Sequence, residues 1–559
     1  MSVPARASLL IVLLLWWPWA VNAAGSGPVA ADSDAAVENL ITRVVSIGDA
    51  DLQAFYAARA MRPAWRDEQT VAALAAAIAT LAEDGLVPSD YGPETLPAAY
   101  RQAHAAVPRA EALARFDIEV SGLLMTVLHD LASGKVDPTA IDPDWDLPRA
   151  VQQLDFVAVA QAVDTRQFEA AFAAARPAHG LYAGLRAGLA QYRDLERRGG
   201  WPALPARRSA LHPGDHHDDV PLLRARLALV ADLAEPAPDS CADPDPATPM
   251  ADPDCYDDGL AAAVRSFQRS HLLKADGVVG ANTRAALNVP VAERINQIRI
   301  NLERARWLLP GLPESFVLVD IAGYQLSYFR PGGDIWRARI VVGRPGRPTP
   351  TLRSAITHLT FNPTWTIPPT ILREDVLPRV REDADYLAQE KIAVLDASGA
   401  RLDPHGIDWA RPGNLILRQD AGPHNALGRV AIRFLNHHQV YLHDTPAQEL
   451  FEFDQRAFSS GCVRVENALE FVRLLFDDET QWNADAIAAV VAAGDTRRVD
   501  LARPVPLILY YWTVQTDADG ALSFRPDIYR RDAAVLAALD RYARNKGPRV
   551  KGAEIDPQP

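Results

Sequence analysis

Phe458 to Asn467 reads FSSGCVRVEN, and the fold of the second half of the chain turns on this stretch. Val463, Arg464 and Val465 alternate apolar and polar residues, the period-two mark of a half-buried strand. Ala468, Phe471, Leu474 and Leu475 then recur at helical spacing, with Asn467 placed to cap that helix and Glu470 three residues on. Strand followed by helix, with a cysteine at the joint, leaves four readings of Cys462. It packs, pairs in a disulfide, binds metal, or attacks a substrate.

The surroundings of this stretch favour a β domain. FVLVDIAGYQLSYF, from Phe316, reads as a hairpin turning near Ala322-Gly323, and IWRARIVVG, AIRFLN and VYLHD are further strands rich in β-branched and aromatic residues. The spacing predicts a mainly β, sandwich-like domain over 314–500. Residues 373–418 are charged and broken by Pro and Gly, an insertion of a length that suits a lid over a site. A C-terminal extension follows over 501–544, and 545–559 reads as a disordered tail.

Upstream the texture is helical. Residues 35–200 are Ala-rich, with Val71, Leu74, Ile78 and Leu81 on one face and Gly85 as a stop, and no titratable cluster stands out there. That region reads as a scaffold. GGWPALPARRSA, from Gly199, is a linker, and 211–290 carries three short helices, with Val220, Leu223, Leu227 and Val230 lining the first.

The 559 residues imply two to four domains, and 48% hydrophobic with 23% charged residues excludes global disorder. A net charge of −14 gives no reason to expect nucleic acid or an anionic membrane as partner. At the N-terminus Arg6 precedes an apolar run to about Val21, and Val21-Asn22-Ala23 suits signal cleavage. Residues 1–23 therefore predict an export signal. In an oxidising compartment Cys241 and Cys255 are natural partners across CADPDPATPMADPDC, which leaves Cys462 over as a candidate reactive thiol or a buried structural one.

His443 stands near the end of VYLHD, 19 residues before Cys462. A thiol attacks only as its thiolate, so a catalytic cysteine needs a base, and imidazole can supply one. Gly461 leaves room for a carbonyl carbon, the backbone N–H groups around Ser460 to Cys462 could receive an oxyanion, and Arg464 shares the face of Cys462. His437, His438 and His443 could instead be metal ligands, yet no H-E-x-x-H or paired-cysteine spacing supports zinc, so no metal or cofactor is expected.

Two resemblances sharpen this. AVRSFQRSHLLKADGVVGANTRAALN (Ala263–Asn288) resembles the three-helix peptidoglycan-binding module of cell-wall enzymes, with the insert bounded by Cys241 and Cys255 as a departure. HDTPAQELFEFDQRAFSSGCVRV resembles the signature of L,D-transpeptidases, a histidine, a spacer, then Ser/Thr-His-Gly-Cys, here with 15 residues between His443 and Ser459. Ser460 stands where many members carry a second histidine, which leaves His443 as the base. FNPTWTIPP, NALGRV and DGALSFRPDIY match the large multidomain branch of that family.

The resemblance implies that Cys462 attacks the third residue of a peptidoglycan stem tetrapeptide and that a stem amine accepts the acyl group. Ser460, Gly461 and Arg464 would bind the oxyanion or position it, and Tyr441, Trp365 and Asn425 would contact substrate. It implies carbapenem inhibition, an exported, periplasmic protein of a Gram-negative-type bacterium, and association with other wall-synthesis enzymes. Hydrolysis by the same pair, or a wall-binding scaffold without catalysis, stays open.

Overall fold

Val71, Leu74 and Ile78 stack along one face of the helix Glu68–Ala79 and are completely buried. A tighter turn at Thr80–Asp84 follows, and Gly85 ends it at φ +75°, a left-handed conformation that favours glycine. The computed structural model describes residues 34–545 apart from 47–48, 149–152, 230–252, 384 and 518–519. The expected signal, Cys241, Val230 and residues 546–559 lie outside the described residues.

The helical region packs round Arg109–Ser133, whose Val120, Leu124, Val127 and Leu128 enter one core with Phe55, Tyr56 and Trp65. The expectation that no titratable cluster stands out here does not hold. Asp84, fully buried, receives three hydrogen bonds from Arg176 and one from Tyr182. Lys135 is ion-paired with Asp90, both side chains buried. Such groups survive burial because each charge has a partner.

The three-helix unit comprises Val220–Ala228, Asp258–Ser270 and Ala281–Leu287, with Leu223, Leu227, Val264, Phe267 and Leu287 in its core. The joint after it is a single helix, Val291–Leu308, that carries buried Asn301, Glu303, Arg304 and Arg306.

The strands follow in chain order. β1 is Phe316–Asp320, β2 Gln325–Phe329, β3 Ile335–Gly343 and β4 Leu352–Phe361. Next come β5 Trp365–Thr366, β6 Ile392–Leu395, β7 Arg401–Leu402 and β8 Ile416–Gln419. Then β9 is Val430–Phe434, β10 Leu442–His443, β11 Ala457–Ser459 and β12 Val463–Val465. β13 is Arg497–Tyr510, with β14 Val514–Thr516 and β15 Leu522–Phe524 after it.

Nine strands form one mixed sheet in the order β11-β3-β12-β10-β9-β4-β13-β1-β2, and β3 also pairs with β2. The sheet thus curls back on itself and leaves little open edge. It encloses Val317, Leu326, Ile340, Leu359, Ile432, Leu442, Val463 and Leu507. The C-terminal part is therefore a mainly β domain behind a helical region, with one curled sheet in place of two stacked ones. β13 runs through the boundary drawn at residue 500 and pairs with both β4 and β1, so the extension joins the sheet as far as Tyr510, while β14 and β15 pair separately.

The expected lid is more than a loop. β5, β8, β6 and β7 form a second sheet, and Val376, Leu387, Val394, Trp409 and Leu417 give the unit a core of its own. Among the described residues no helix is long and apolar enough to cross a membrane.

Candidate active site

Strand register builds the site. β10 lies between β9 and β12, with His443 opposite Ala431 on one side and Arg464 on the other. One step back along the same ladders, Tyr441 faces Arg433 and Cys462, and the Val463 amide donates to the Tyr441 carbonyl at 3.0 Å. Side chains alternate across a sheet, so Arg433, Tyr441, His443, Cys462 and Arg464 share one face. Leu442, Val463 and Val465 take the other, completely buried in the core.

The turn before Cys462 is held from three sides. The Ser459 hydroxyl accepts from the Gly461 amide at 3.1 Å and donates to the Cys462 carbonyl at 2.5 Å. Thr349 donates to the Gly461 carbonyl at 2.9 Å and accepts from the Gly343 amide at 2.9 Å. Tyr529 accepts from the Thr349 amide at 3.1 Å and donates to the Gly343 carbonyl at 2.6 Å. Gly461 has φ +113°, far from where a side chain is tolerated. Its amide is spent on Ser459, so it is not the free oxyanion donor expected of it. The Ser460 and Cys462 amides carry no acceptor among the described residues.

His443 is 5% exposed, and its Nδ1 lies 2.5 Å from the Asp444 carbonyl oxygen. A carbonyl only accepts, so Nδ1 carries the proton and Nε2 is left as a base. Burial, reinforced by the Arg464 charge, lowers the imidazole to about 3. Burial likewise raises the Cys462 thiol, against the lowering influence of Tyr441 hydrogen bonds and of Arg433 and Arg464. Thiol and imidazole therefore rest neutral, with Cys462 as the free cysteine among the described residues.

The remaining expected residues fall into different places. The Ser460 hydroxyl accepts from Arg347 at 3.0 Å, and Arg347 also pairs with Glu374 and Asp375 of the insertion, tying it to the turn before Cys462. Arg464 is largely buried, and its Nε has no acceptor among the described residues. Trp365 and Tyr441 line a cleft of about 480 Å³ together with Ile367, Leu427, Arg433 and Val440. Asn425 is 1% exposed and braces loops, donating to the Pro363 and Asp420 carbonyls at 2.9 and 3.0 Å. It therefore reaches no substrate. Asn467 takes φ +52° and makes no side-chain cap, so the helix after it starts without the expected capping bond. Cys255 is buried; Cys241 lies outside the described residues, and their pairing stays a proposal.

Sequence reading missed Arg433, whose guanidinium sits 3.8 Å over the Tyr441 ring. Its position in AIRFLN, alternating with Ile432 and Phe434, was the available signal. Arg347, Thr349 and Tyr529 gave none, since their roles exist only once the chain is folded.

Parts of this chain are similar to known proteins. An L,D-transpeptidase from Mycobacterium smegmatis is 15% identical, with TM-score 0.17, over 35% of this chain and 58% of that one. An L,D-transpeptidase from Xylanimonas cellulosilytica is 16% identical, with TM-score 0.17, over 55% of this chain and 100% of that one. A Haemophilus influenzae protein named "Putative L,D-transpeptidase" is 32% identical over 256 residues, 45% of this chain and 51% of that protein. This chain thus spans about half the length of that curated relative. Residues 50–189 match the "Scaffold domain" family and 217–287 the "Putative peptidoglycan binding domain" family. Residues 314–499 match the family described as "L,D-transpeptidase catalytic domain". The stretch 314–499 thus resembles the catalytic domain of L,D-transpeptidases. The matched residues 314–499 hold most of the curled sheet and the insertion, and 217–287 hold the three-helix unit with Leu223, Val264 and Phe267 in its core.

Proposed function

We propose that the protein is a peptidoglycan L,D-transpeptidase that forms 3→3 cross-links through a Cys462 acyl-enzyme. The observation that carries this is the shared face of β10 and β12, where a free thiol stands in line with Tyr441 and an imidazole whose Nδ1 is committed to a carbonyl.

The Cys462 sulfur attacks the carbonyl carbon of the third stem residue while His443 Nε2 takes the thiol proton. The Ser460 and Cys462 amides receive the oxyanion, with Arg464 beside it. As the carbon–nitrogen bond to the terminal D-alanine breaks, His443 returns the proton to the leaving amine. A side-chain amine of a second stem then attacks the thioester, its proton passes to His443, and the Cys462 thiol is restored. Arg433, with no carboxylate partner among the described residues, suits a stem-peptide carboxylate in the cleft. The lid unit limits water, which would otherwise compete with the amine. The expected setting is the periplasmic cell wall, with other wall-synthesis enzymes as neighbours.

Mass spectrometry of the mature protein and its Cys462→Ala variant with a disaccharide-tetrapeptide tests this. The expected result is an adduct on the wild type alone and a cross-linked dimer that has lost one D-alanine. An adduct that gives only free tripeptide would make the protein an L,D-carboxypeptidase. Binding without any adduct would make it a wall-binding scaffold.

A further inference from the structure

The hairpin between β9 and β10 carries two adjacent histidines that the proposed reaction does not use. His437 and His438 have ring centroids 3.9 Å apart, and with Asp146 they form a group whose ligand atoms all lie within 4.8 Å of one another. Among the described residues His443 does not belong to it. His437 Nδ1 already stands 3.2 Å from an Asp146 carboxylate oxygen. Tetrahedral zinc, with ligands at about 2.0–2.1 Å, needs donors about 3.3–3.5 Å apart, so one pair is in place and the third donor needs a small side-chain rotation. His438 Nε2 is buried and has no hydrogen-bond partner among the described residues. A buried ring nitrogen without a partner costs free energy unless something supplies one.

The backbone already fixes both ligand-bearing segments. The Asp146 amide donates to the Thr351 carbonyl at 3.0 Å, and the Arg353 amide donates to the Asp146 carbonyl at 3.1 Å, so this loop is laid against the start of β4. Ser354, in β4, donates to the Leu435 carbonyl at 2.7 Å. Asn436 closes the hairpin through both its amide atoms, accepting from the Val440 amide at 3.1 Å and donating to the Val440 carbonyl at 2.8 Å. Asp142 and Asp144 add negative charge near His438, with Asp142 partly offset by Arg531 at 3.3 Å.

We propose that Asp146, His437 and His438 bind a late first-row divalent cation of the zinc class, which clamps the scaffold-derived loop to the hairpin leading into the catalytic strand. Imidazole and carboxylate donors suit zinc, nickel and copper(II), and a fourth position stays open to water. The site lies outside the acyl-transfer chemistry, so its test does not depend on that reading.

The probe is Zn²⁺ alone, titrated calorimetrically into chelator-treated, untagged full-length protein. A Cys462→Ala background removes the competing thiol. One Zn²⁺ per chain is expected, with affinity falling at least ten-fold in His437→Ala/His438→Ala and in Asp146→Asn. Hydrogen exchange should show residues 435–440 protected by zinc in the parent and not in the double variant. No saturable binding in the parent, or unchanged affinity in a double variant with parental circular dichroism, would overturn the proposal.

Discussion

The most exposed consequence of the site's electrostatics is its acid tolerance. An ordinary histidine, at about 6.5, would lose its base as pH falls, and its neutral fraction would drop from about 90% at pH 7.5 to about 3% at pH 5. Acylation that depends on neutral imidazole would then slow about thirty-fold over that interval. His443 is held at about 3 because it is buried and faces Arg464. The same calculation then leaves about 99% neutral at pH 5, so the rate changes less than two-fold from this group. On the alkaline side burial holds Cys462 protonated above its usual range, so the rate stays flat there too until the thiol itself titrates. Stopped-flow acylation by a carbapenem, at concentrations well below saturation and between pH 4.5 and 8, reads this directly. His443→Ala should lower the plateau by roughly 10²–10⁴-fold, the usual worth of a positioned base. An acid limb centred near pH 6.5 in the wild type would refute the reasoning, because it would show an imidazole that water reaches.

Two substitutions separate the roles of the neighbours. Tyr441→Phe removes a hydroxyl that stabilises the Cys462 thiolate, so acylation should slow about ten-fold, one hydrogen bond of about 1.4 kcal/mol, with iodoacetamide alkylation of Cys462 shifted to higher pH. An unchanged alkylation profile would remove Tyr441 from the thiolate's environment. Thr349→Val strips the Gly343 amide and the Gly461 carbonyl of a buried partner each, at about 1–3 kcal/mol apiece. Melting should come several degrees earlier, and kcat should fall more than the fraction unfolded explains; full activity in the folded variant would show that the Gly461 turn holds without this brace.

The sequence stretch around Cys462 carried its own structure in its alternation, because Val463 and Val465 must go inward for Arg464 to go outward. The helix at Glu68–Ala79 and the three-helix unit were legible for the same reason, since one apolar face at helical spacing has few other uses. The lid unit was visible only as an interruption: its strands are two to four residues long, too short for periodicity to register. The helix Val291–Leu308 hid because its inward face carries Asn301, Glu303, Arg304 and Arg306, which look solvated until their partners are found. Those partners, Thr513, Tyr182 and Asp532 among them, come from segments far along the chain. Asp146 escaped notice as a neighbour of His437 for the same reason. Long-range pairing of polar groups leaves no local pattern.

That Cys462 and His443 share one face is a matter of register rather than of sequence distance. β10 is two residues long and β12 three, and a slip of one residue in either would turn His443 or Cys462 toward the core. What prevents the slip lies on the opposite face, where Leu442, Val463 and Val465 are locked among Val317, Ile340 and Phe471. The braces through Thr349, Ser459 and Tyr529 then fix the turn that feeds β12. On the β10 side Asp444 is held by Arg429, whose amide and Nε donate to its carboxylate at 2.9 and 2.7 Å, and its carbonyl in turn orients His443. Two independently anchored strands thus meet with thiol and imidazole on one face, and the hydrophobic core sets the geometry of a reaction it never touches.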